Sequence, residues 1–354
     1  MSNYQFLSIG DTTLDNFLKL DGSEAHLSCN LEKSNCELCL NYADKIPVSQ
    51  YHTTLGGNSA NAAVSAVRMG LSTAIWTVVG DDYIGQKTKK EFEKENISTE
   101  YLQVDEKVRS KISTVINYQS ERTILIYGDH YDYKIPQLGK ADWVYISSLG
   151  KTGDGVYRDI SAWAREYRAK LVFQPGTFQI RMGWKPMEEL LKITEIIVMN
   201  KEEAADYVGE SQKPKIKNQN YSVALPQINI KELLKKLLHL GPRIAVITDG
   251  KTGAYVSDGK TVWSQGIDES VPVVERTGAG DAYSSAFTVA ISKGKAIPEA
   301  MLWGALNSES VIQKIGPQAG ILTLDELNKS RAQGRPRVEI ASSPMLNPLH
   351  SGGR

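Results

Sequence analysis

The stretch ERTGAGDAYSSAF, Glu275 to Phe287, joins a glycine-rich turn to an alanine- and serine-rich helical segment, with one carboxylate, Asp281, in the first helical turn. A helix N-terminus exposes unpaired N–H groups and a partial positive charge, and glycines let an anion approach the backbone closely. Gly278, Ala279 and Gly280 therefore form a candidate anion hole for a terminal phosphate. A carboxylate beside a static phosphate would repel it. It becomes useful when a hydroxyl must attack that phosphate: Asp281 can align the hydroxyl and accept its proton while the turn stabilises charge on the transferring group. An ordinary capped helix start with a dipole-compatible aspartate uses the same residues, and this motif alone does not separate the two readings.

Outward from the turn, short apolar runs alternate with helical patterns. Strands are expected at 4–10, 72–80, 141–149, 170–175, 195–200 and 243–248, each β-branched or aromatic-rich and followed by polar residues or glycine. Helices are expected at 58–69, 82–95, 154–168, 230–240, 280–293 and 297–314. In the first, Ala60, Ala63, Val64 and Val67 share a face and Gly70 is the stop. This rhythm points to an α/β fold with a mostly parallel sheet covered by helices on both faces. Residues 12–55 are too long for a strand-helix connection, and 108–135 hold KISTVINY and RTILIYGD, two strand-like segments. Together they suggest a small separate sheet, a lid over one edge. Residues 210–228 read as an inserted surface loop, 336–340 contain a candidate last strand, and the tail lacks periodicity.

The 354 residues suffice for one large or two modest domains. Lys plus Arg equals Asp plus Glu at 41 each, so nothing favours a nucleic-acid partner, and the Lys213–Lys217 run reads as a solvated loop. No apolar run approaches a membrane span, and no basic and apolar leader precedes the first strand, so a soluble, cytoplasmic protein is expected. LGKTGDG (149–155) and DGKTGAY (249–255) suggest phosphate loops. Each lacks the glycine five positions before its Gly-Lys pair, where Tyr145 and Ala245 stand.

Four motifs in order resemble the ribokinase/PfkB family of sugar and nucleoside kinases across roughly residues 4–340: GGNSANAAVSAVRMGL (56–71), VGDDYIG (79–85), Asn200-Lys201-Glu202-Glu203, and TGAGD (277–281). The resemblance implies a ribokinase-like three-layer α/β/α sandwich with a mostly parallel central sheet and a small β-sheet lid. It implies one kinase domain over 1–341, with the lid drawn from about 12–55 and 108–135, and a disordered tail at 342–354. The implied reaction moves the γ-phosphoryl group of ATP, with Mg2+, to a hydroxymethyl group of a sugar. A nucleoside is the alternative acceptor. A sensor that keeps the fold without catalysis is a different class, and the intact TGAGD and Asn-x-x-Glu argue against it. Catalytic groups are expected at the carboxyl ends of strands, where Asp11, Asn200 and Asp249 stand.

Carried over by position, Asp281 is the base and Gly278, Ala279 and Gly280 the anion hole. Asp15, Gly56, Gly57 and Asn61 face the sugar; Asn200 and Glu203 order the water shell of magnesium; Asn200, Thr248, Gly250 and Asn307 lie along the nucleotide. A homodimer through lid strands is also implied. Glu275 stands where many relatives carry an aspartate that helps bind a monovalent cation, and Arg276 where they carry Thr or Asn. Arg276 is expected either to pair with Glu275 or to reach a nucleotide phosphate, weakening any potassium requirement. Asn58 stands where ribokinases have lysine, and Arg122, on a lid strand, is a candidate partner for a charged substrate group.

The three cysteines fall within eleven residues, too few for a disulfide scaffold. His26, Cys29, Cys36 and Cys39 form a candidate zinc set in paired spacing. Apolar lid cysteines beside an unrelated histidine are the weightier reading.

Overall fold

Phe6, Leu7 and Ile9 of the first strand have almost no exposed surface, the mark of a strand covered on both faces. The computed structural model describes residues 2–23, 25–30, 36–119, 121–128, 131–150, 155–209, 229–332 and 339–340. The 210–228 insertion with its Lys213–Lys217 run, residues 151–154 and the 342–354 tail lie outside them.

The six apolar runs become β1 (Asn3–Ile9), β6 (Thr73–Gly80), β10 (Lys140–Ile146), β11 (Lys170–Phe173), β12 (Thr194–Asn200) and β13 (Ile244–Thr248). They are mutually parallel, in the order β13-β12-β11-β10-β1-β6. β7 (Ser98–Asp105) adds a parallel edge beside β6. At the other edge β14 (Ala254–Ser257), β15 (Val262–Gln265) and β16 (Glu339–Ile340) continue the sheet antiparallel. The apolar runs did not reveal β7, β14 and β15. One residue of β7, Tyr101, is buried, and β14 and β15 have four residues each.

One face of the sheet is covered by α3 (Gly155–Tyr167), α4 (Thr177–Met182), α5 (Glu188–Leu191), α6 (Lys201–Tyr207) and α7 (Ile230–His239), through residues such as Tyr157, Leu190, Tyr207 and Leu234. The other is covered by α1 (Asn58–Arg68), α8 (Ala279–Ser292), α9 (Ile297–Val311) and α10 (Leu324–Ala332), through Ala62, Phe287, Trp303 and Leu327. α2 (Tyr83–Lys94) packs Phe92 into a third cluster with Val64 and Ile75. The result is a three-layer sandwich. Small residues let α1 and α8 approach closely, and the Ser65 and Ser285 hydroxyls meet at 2.8 Å.

The two out-of-rhythm regions build a separate sheet in the order β5-β2-β8-β9, from β2 (Thr13–Leu20), β5 (Val48–Gly56), β8 (Ile112–Tyr118) and β9 (Glu121–Tyr127). Leu14 and Leu55 join it to the α1–α2 cluster. A hairpin of β3 (Ala25–Cys29) and β4 (Cys36–Leu40) docks through Tyr118, whose hydroxyl donates to the Ala25 carbonyl at 2.6 Å.

This hairpin corrects the zinc expectation. Register sets Cys29 against Cys36 and His26 against Cys39. Side chains alternate faces along a strand, so residues three apart point oppositely. The His26/Cys39 pair therefore lies on one face and the Cys29/Cys36 pair on the other, and four donors cannot converge on one ion. Cys29 and Cys36 form a disulfide, Cys39 is free, and no cluster of metal-ligating residues occurs among the described residues. Disulfides are rare in the reducing cytosol, so this bond and the cytoplasmic expectation pull in opposite directions. No helix among the described residues is long and apolar enough to cross a membrane. Thiol titration of denatured, unreduced protein is expected to find one thiol, rising to three on reduction. Three thiols before reduction would refute the pairing.

Candidate active site

α8 starts at the glycine turn because Gly278, its N-cap, takes a φ of +84° that disfavours side chains. A Cβ there would also fall 2.4 Å from Cβ of Pro317. Gly280 is exposed and a Cβ would meet nothing, so the turn opens outward at that point. Of the three candidate anion-hole amides, that of Ala279 is turned inward onto the Arg276 carbonyl at 3.2 Å.

Asp281 is only partly exposed, and both its oxygens are held. Nδ2 of Asn61 donates to Oδ2 at 2.8 Å and Nε2 of Gln174 to Oδ1 at 2.9 Å. Each clamp is itself braced. Gln318 donates to Oδ1 of Asn61 at 3.1 Å, and the Tyr145 hydroxyl donates to Oε1 of Gln174 while meeting the Ser284 hydroxyl at 2.7 Å. Burial raises the pKa of Asp281, opposed by the two amides and by the charge of Arg122 on β9. A raised value brings a carboxylate nearer the range where it can act as a base and hold the proton it takes. Asn61 was expected at the sugar. It is 2% exposed with both amide ends engaged, and it serves the candidate base instead.

Asp15 lies on β2 beside Ser113 of β8 and is 5% exposed. Burial pushes its pKa up to about 6. Hydrogen bonds from Thr13 and Ser113 pull the other way, and the negative charges of Asp281 and Glu275 add to the rise. The glycines expected to admit the substrate have a different reason. A Cβ on Gly56 would lie 1.9 Å from Oδ2 of Asp15, so the glycine makes room for that carboxylate. Gly57 takes a φ of +96° with its missing Cβ position 2.5 Å from the Asp11 carbonyl.

Asn200 and Thr248 are register partners at the carboxyl ends of β12 and β13. Asn200 caps α6 in a reciprocal box: its side chain accepts from the Glu203 amide at 2.8 Å, and Glu203 accepts from the Asn200 amide at 2.9 Å. Burial raises the pKa of Glu203, and the charge of Asp281 adds to this, so the two acids share one field. Glu203 bonds through one oxygen, and its second is a hard donor of the kind magnesium takes directly or through water. Glu275 is 8% exposed. Its Oε1 accepts from the amide and hydroxyl of Thr277, while Oε2 is buried without a hydrogen-bond partner, a setting that fits a bound cation. Arg276 does not pair with it; its guanidinium lies 3.9 Å from Glu121 of β9. Gly250 is exposed with open space at its Cβ position. Asn307 corrects another expectation. It is wholly buried, donating to the Ala282 carbonyl and accepting from the Leu322 amide, so it braces α8 and cannot touch a nucleotide in this arrangement.

The family profile described as pfkB family carbohydrate kinase matches residues 24–324. The chain belongs to the pfkB family. It is 23% identical over 292 residues to the ribokinase of Bacillus subtilis (strain 168), covering 79% of this chain and 89% of that enzyme. Its fold is similar to that of the Methanocaldococcus jannaschii nucleoside kinase, with a TM-score of 0.71 at 17% identity over 94% of this chain and 99% of that one. It is also similar to Arabidopsis thaliana ribokinase complexed with ribose and ATP, with a TM-score of 0.71 at 16% identity over 93% and 98%. At such identities the structural likeness shows the fold alone. Membership makes the chain a carbohydrate kinase, a phosphotransferase acting on an alcohol group.

Sequence reasoning missed Gln174, Tyr145, Gln318 and Ser113 in this pfkB chain. Gln174 did carry a signal, a polar residue just past the carboxyl end of a buried strand. Gln318 lies in an irregular segment 257 residues from Asn61 and carried none. The raised pKa of Asp15 means that the folded chain holds this proton more tightly than the unfolded chain, whose value is near 3.8. The associated stability is fully present below that value and is lost as pH rises through about 6. Asp15→Asn is accordingly expected to raise the melting temperature at pH 8 and to change it little at pH 3. Equal melting temperatures at pH 8 would count against burial as the cause.

Proposed function

We propose that this pfkB chain transfers the γ-phosphoryl group of ATP to a hydroxymethyl group of a sugar, in the manner of a ribokinase or fructokinase. The observation that carries the reading is Asp281, clamped through both oxygens beside a helix-start turn that opens at Gly280. The acceptor hydroxyl would donate to Asp281, which aligns it and takes its proton as the new P–O bond forms. The amides of Gly278 and Gly280, at the positive end of α8, would receive the phosphoryl oxygens. Asp15 would accept from two neighbouring hydroxyls of the sugar, as a carboxylate can. The small sheet would act as a lid, excluding water that otherwise competes as nucleophile.

Magnesium, when bound with ATP, neutralises charge on the phosphates; Glu203 and Asn200 would hold it through water. Thr248 and Gly250 would flank the nucleotide beside them. A monovalent cation would complete Glu275, since Arg276 is turned away toward Glu121. β9 is an edge strand exposed along its whole length, with Ile124, Leu125, Ile126 and Tyr127 uncovered. A second copy of the chain pairing there would cover it.

Asp281→Asn is expected to bind ATP and acceptor yet lose turnover by roughly 10²–10⁴-fold. Near-normal turnover would sink the mechanism. A panel of sugars and nucleosides with ATP and magnesium tests the acceptor: transfer to a sugar is expected, and transfer to nucleosides alone replaces it. Activity is expected to rise when potassium replaces choline, and equal rates in both would remove the cation from Glu275.

A further inference from the structure

The chain crosses between the large and small sheets four times: from β1 to β2, from β5 to α1, from β7 to β8, and from β9 to β10. All four crossings meet at Asp11, which lies in the first. Its position suggested a catalytic group, but its carboxylate is buried and taken up by Lys111 and Tyr133, so it belongs to the joint. Nζ of Lys111, at the end of the third, is 2.6 Å from its Oδ1. The Tyr133 hydroxyl, from the fourth, donates to the same oxygen. The Ser59 hydroxyl, from the first turn of α1, donates to the Asp11 carbonyl at 2.8 Å. The Asp11 amide donates to the Ser148 carbonyl at 2.6 Å, anchoring the junction to the segment after β10.

Lys111 is built into this joint. Its side chain passes between Gly128 and Gly150, where added Cβ atoms would fall 2.8 Å from its Cγ and Nζ. Its ammonium sits 4.5 Å over the ring of Tyr131, whose hydroxyl donates to the Arg109 carbonyl at 2.9 Å. Asp11, Lys111, Tyr131 and Tyr133 are each less than a tenth exposed, at 8%, 7%, 4% and 4%. A buried ion pair is weak evidence of stability, because matched apolar side chains often serve as well. Geometry is what this pair supplies. Asp15 follows Asp11 by four residues and Ser113 follows Lys111 by two, and those residues face each other across β2 and β8.

We propose that Asp11 and Lys111 are positioning residues: their buried pair fixes the small sheet on the body and so sets Asp15 at its distance from Asp281. The proposal rests on reading the small sheet as a lid and Asp15 as the acceptor grip. The test is the double variant Asp11→Asn/Lys111→Met, which removes both charges and leaves neither partner alone in the interior. It is expected to melt close to wild type. Amide hydrogen exchange in β2 and β8 is expected to speed up about tenfold or more, while α8 and α9 stay unchanged. KM for the acceptor turned over fastest in the panel is expected to rise about tenfold, with KM for ATP and kcat within about twofold. Wild-type exchange in β2 and β8, or an unchanged acceptor KM, overturns the proposal. The grip reading falls with it only where Asp15→Asn also leaves that KM unchanged. Should the double variant not fold, Tyr133→Phe decides. It keeps both charges, deletes one donor, and is expected to raise the acceptor KM a few-fold without moving KM for ATP; no rise overturns the proposal.

Discussion

A carboxylate held at the start of a helix by two amides from distant parts of the chain is the constraint on which this structure turns. Asn61 reaches Asp281 across 220 residues and Gln174 across 107. For both to arrive, α1 must lie against α8 and β11 must end beneath the glycine turn. The small residues along α1 and α8 permit the first, and the parallel register of β10 and β11 provides the second. The core on the α1–α8 face of the sheet follows from these two requirements. Ala62 and Ala66 pack in the same cluster as Phe287 and Val289, and Tyr145 reaches from β10 to brace Gln174.

The same arrangement gathers acids. Asp15, Glu203, Glu275 and Asp281 lie near enough to share a field: Asp281 raises both Asp15 and Glu203, and Glu275 adds to Asp15. Burial is the largest cause for each of the three whose pKa is raised. Such crowding costs stability, and the sandwich core on both faces of the sheet offsets it. Concentrated carboxylates at the positive end of a helix suit a site that takes cations together with phosphate. In the proposed reaction, a metal–nucleotide complex would relieve the field that disfavours these charges.

Much of the fold was legible because central strands and amphipathic helices write their burial into the local pattern. Edge elements do not: β7 has a single buried residue, and β14 and β15 are too short for a period to show. The cysteine cluster misled for a definite reason. The spacing of Cys36 and Cys39 suits two ligands on a turn, but here both sit in one strand, where an odd separation sends them to opposite faces. Asn307 misled because a position on the right helix says nothing about which way its side chain is used. Arg276 did not pair with Glu275, because β9 brings Glu121 within its reach.

By itself the sequence determined the strand-helix rhythm, the glycine-rich turn that opens α8, and the place of Asp281 in its first turn. These depend on spacing, burial pattern and backbone preference within a dozen residues. The tertiary structure alone decided what holds that carboxylate, which glycine spaces are filled by the protein, and that Asp11 meets Lys111 and Tyr133 where the chain passes between the two sheets. Those outcomes depend on side chains meeting across the fold, and on which face of a strand a residue occupies once its register is set. Neither leaves a trace in the order of the residues.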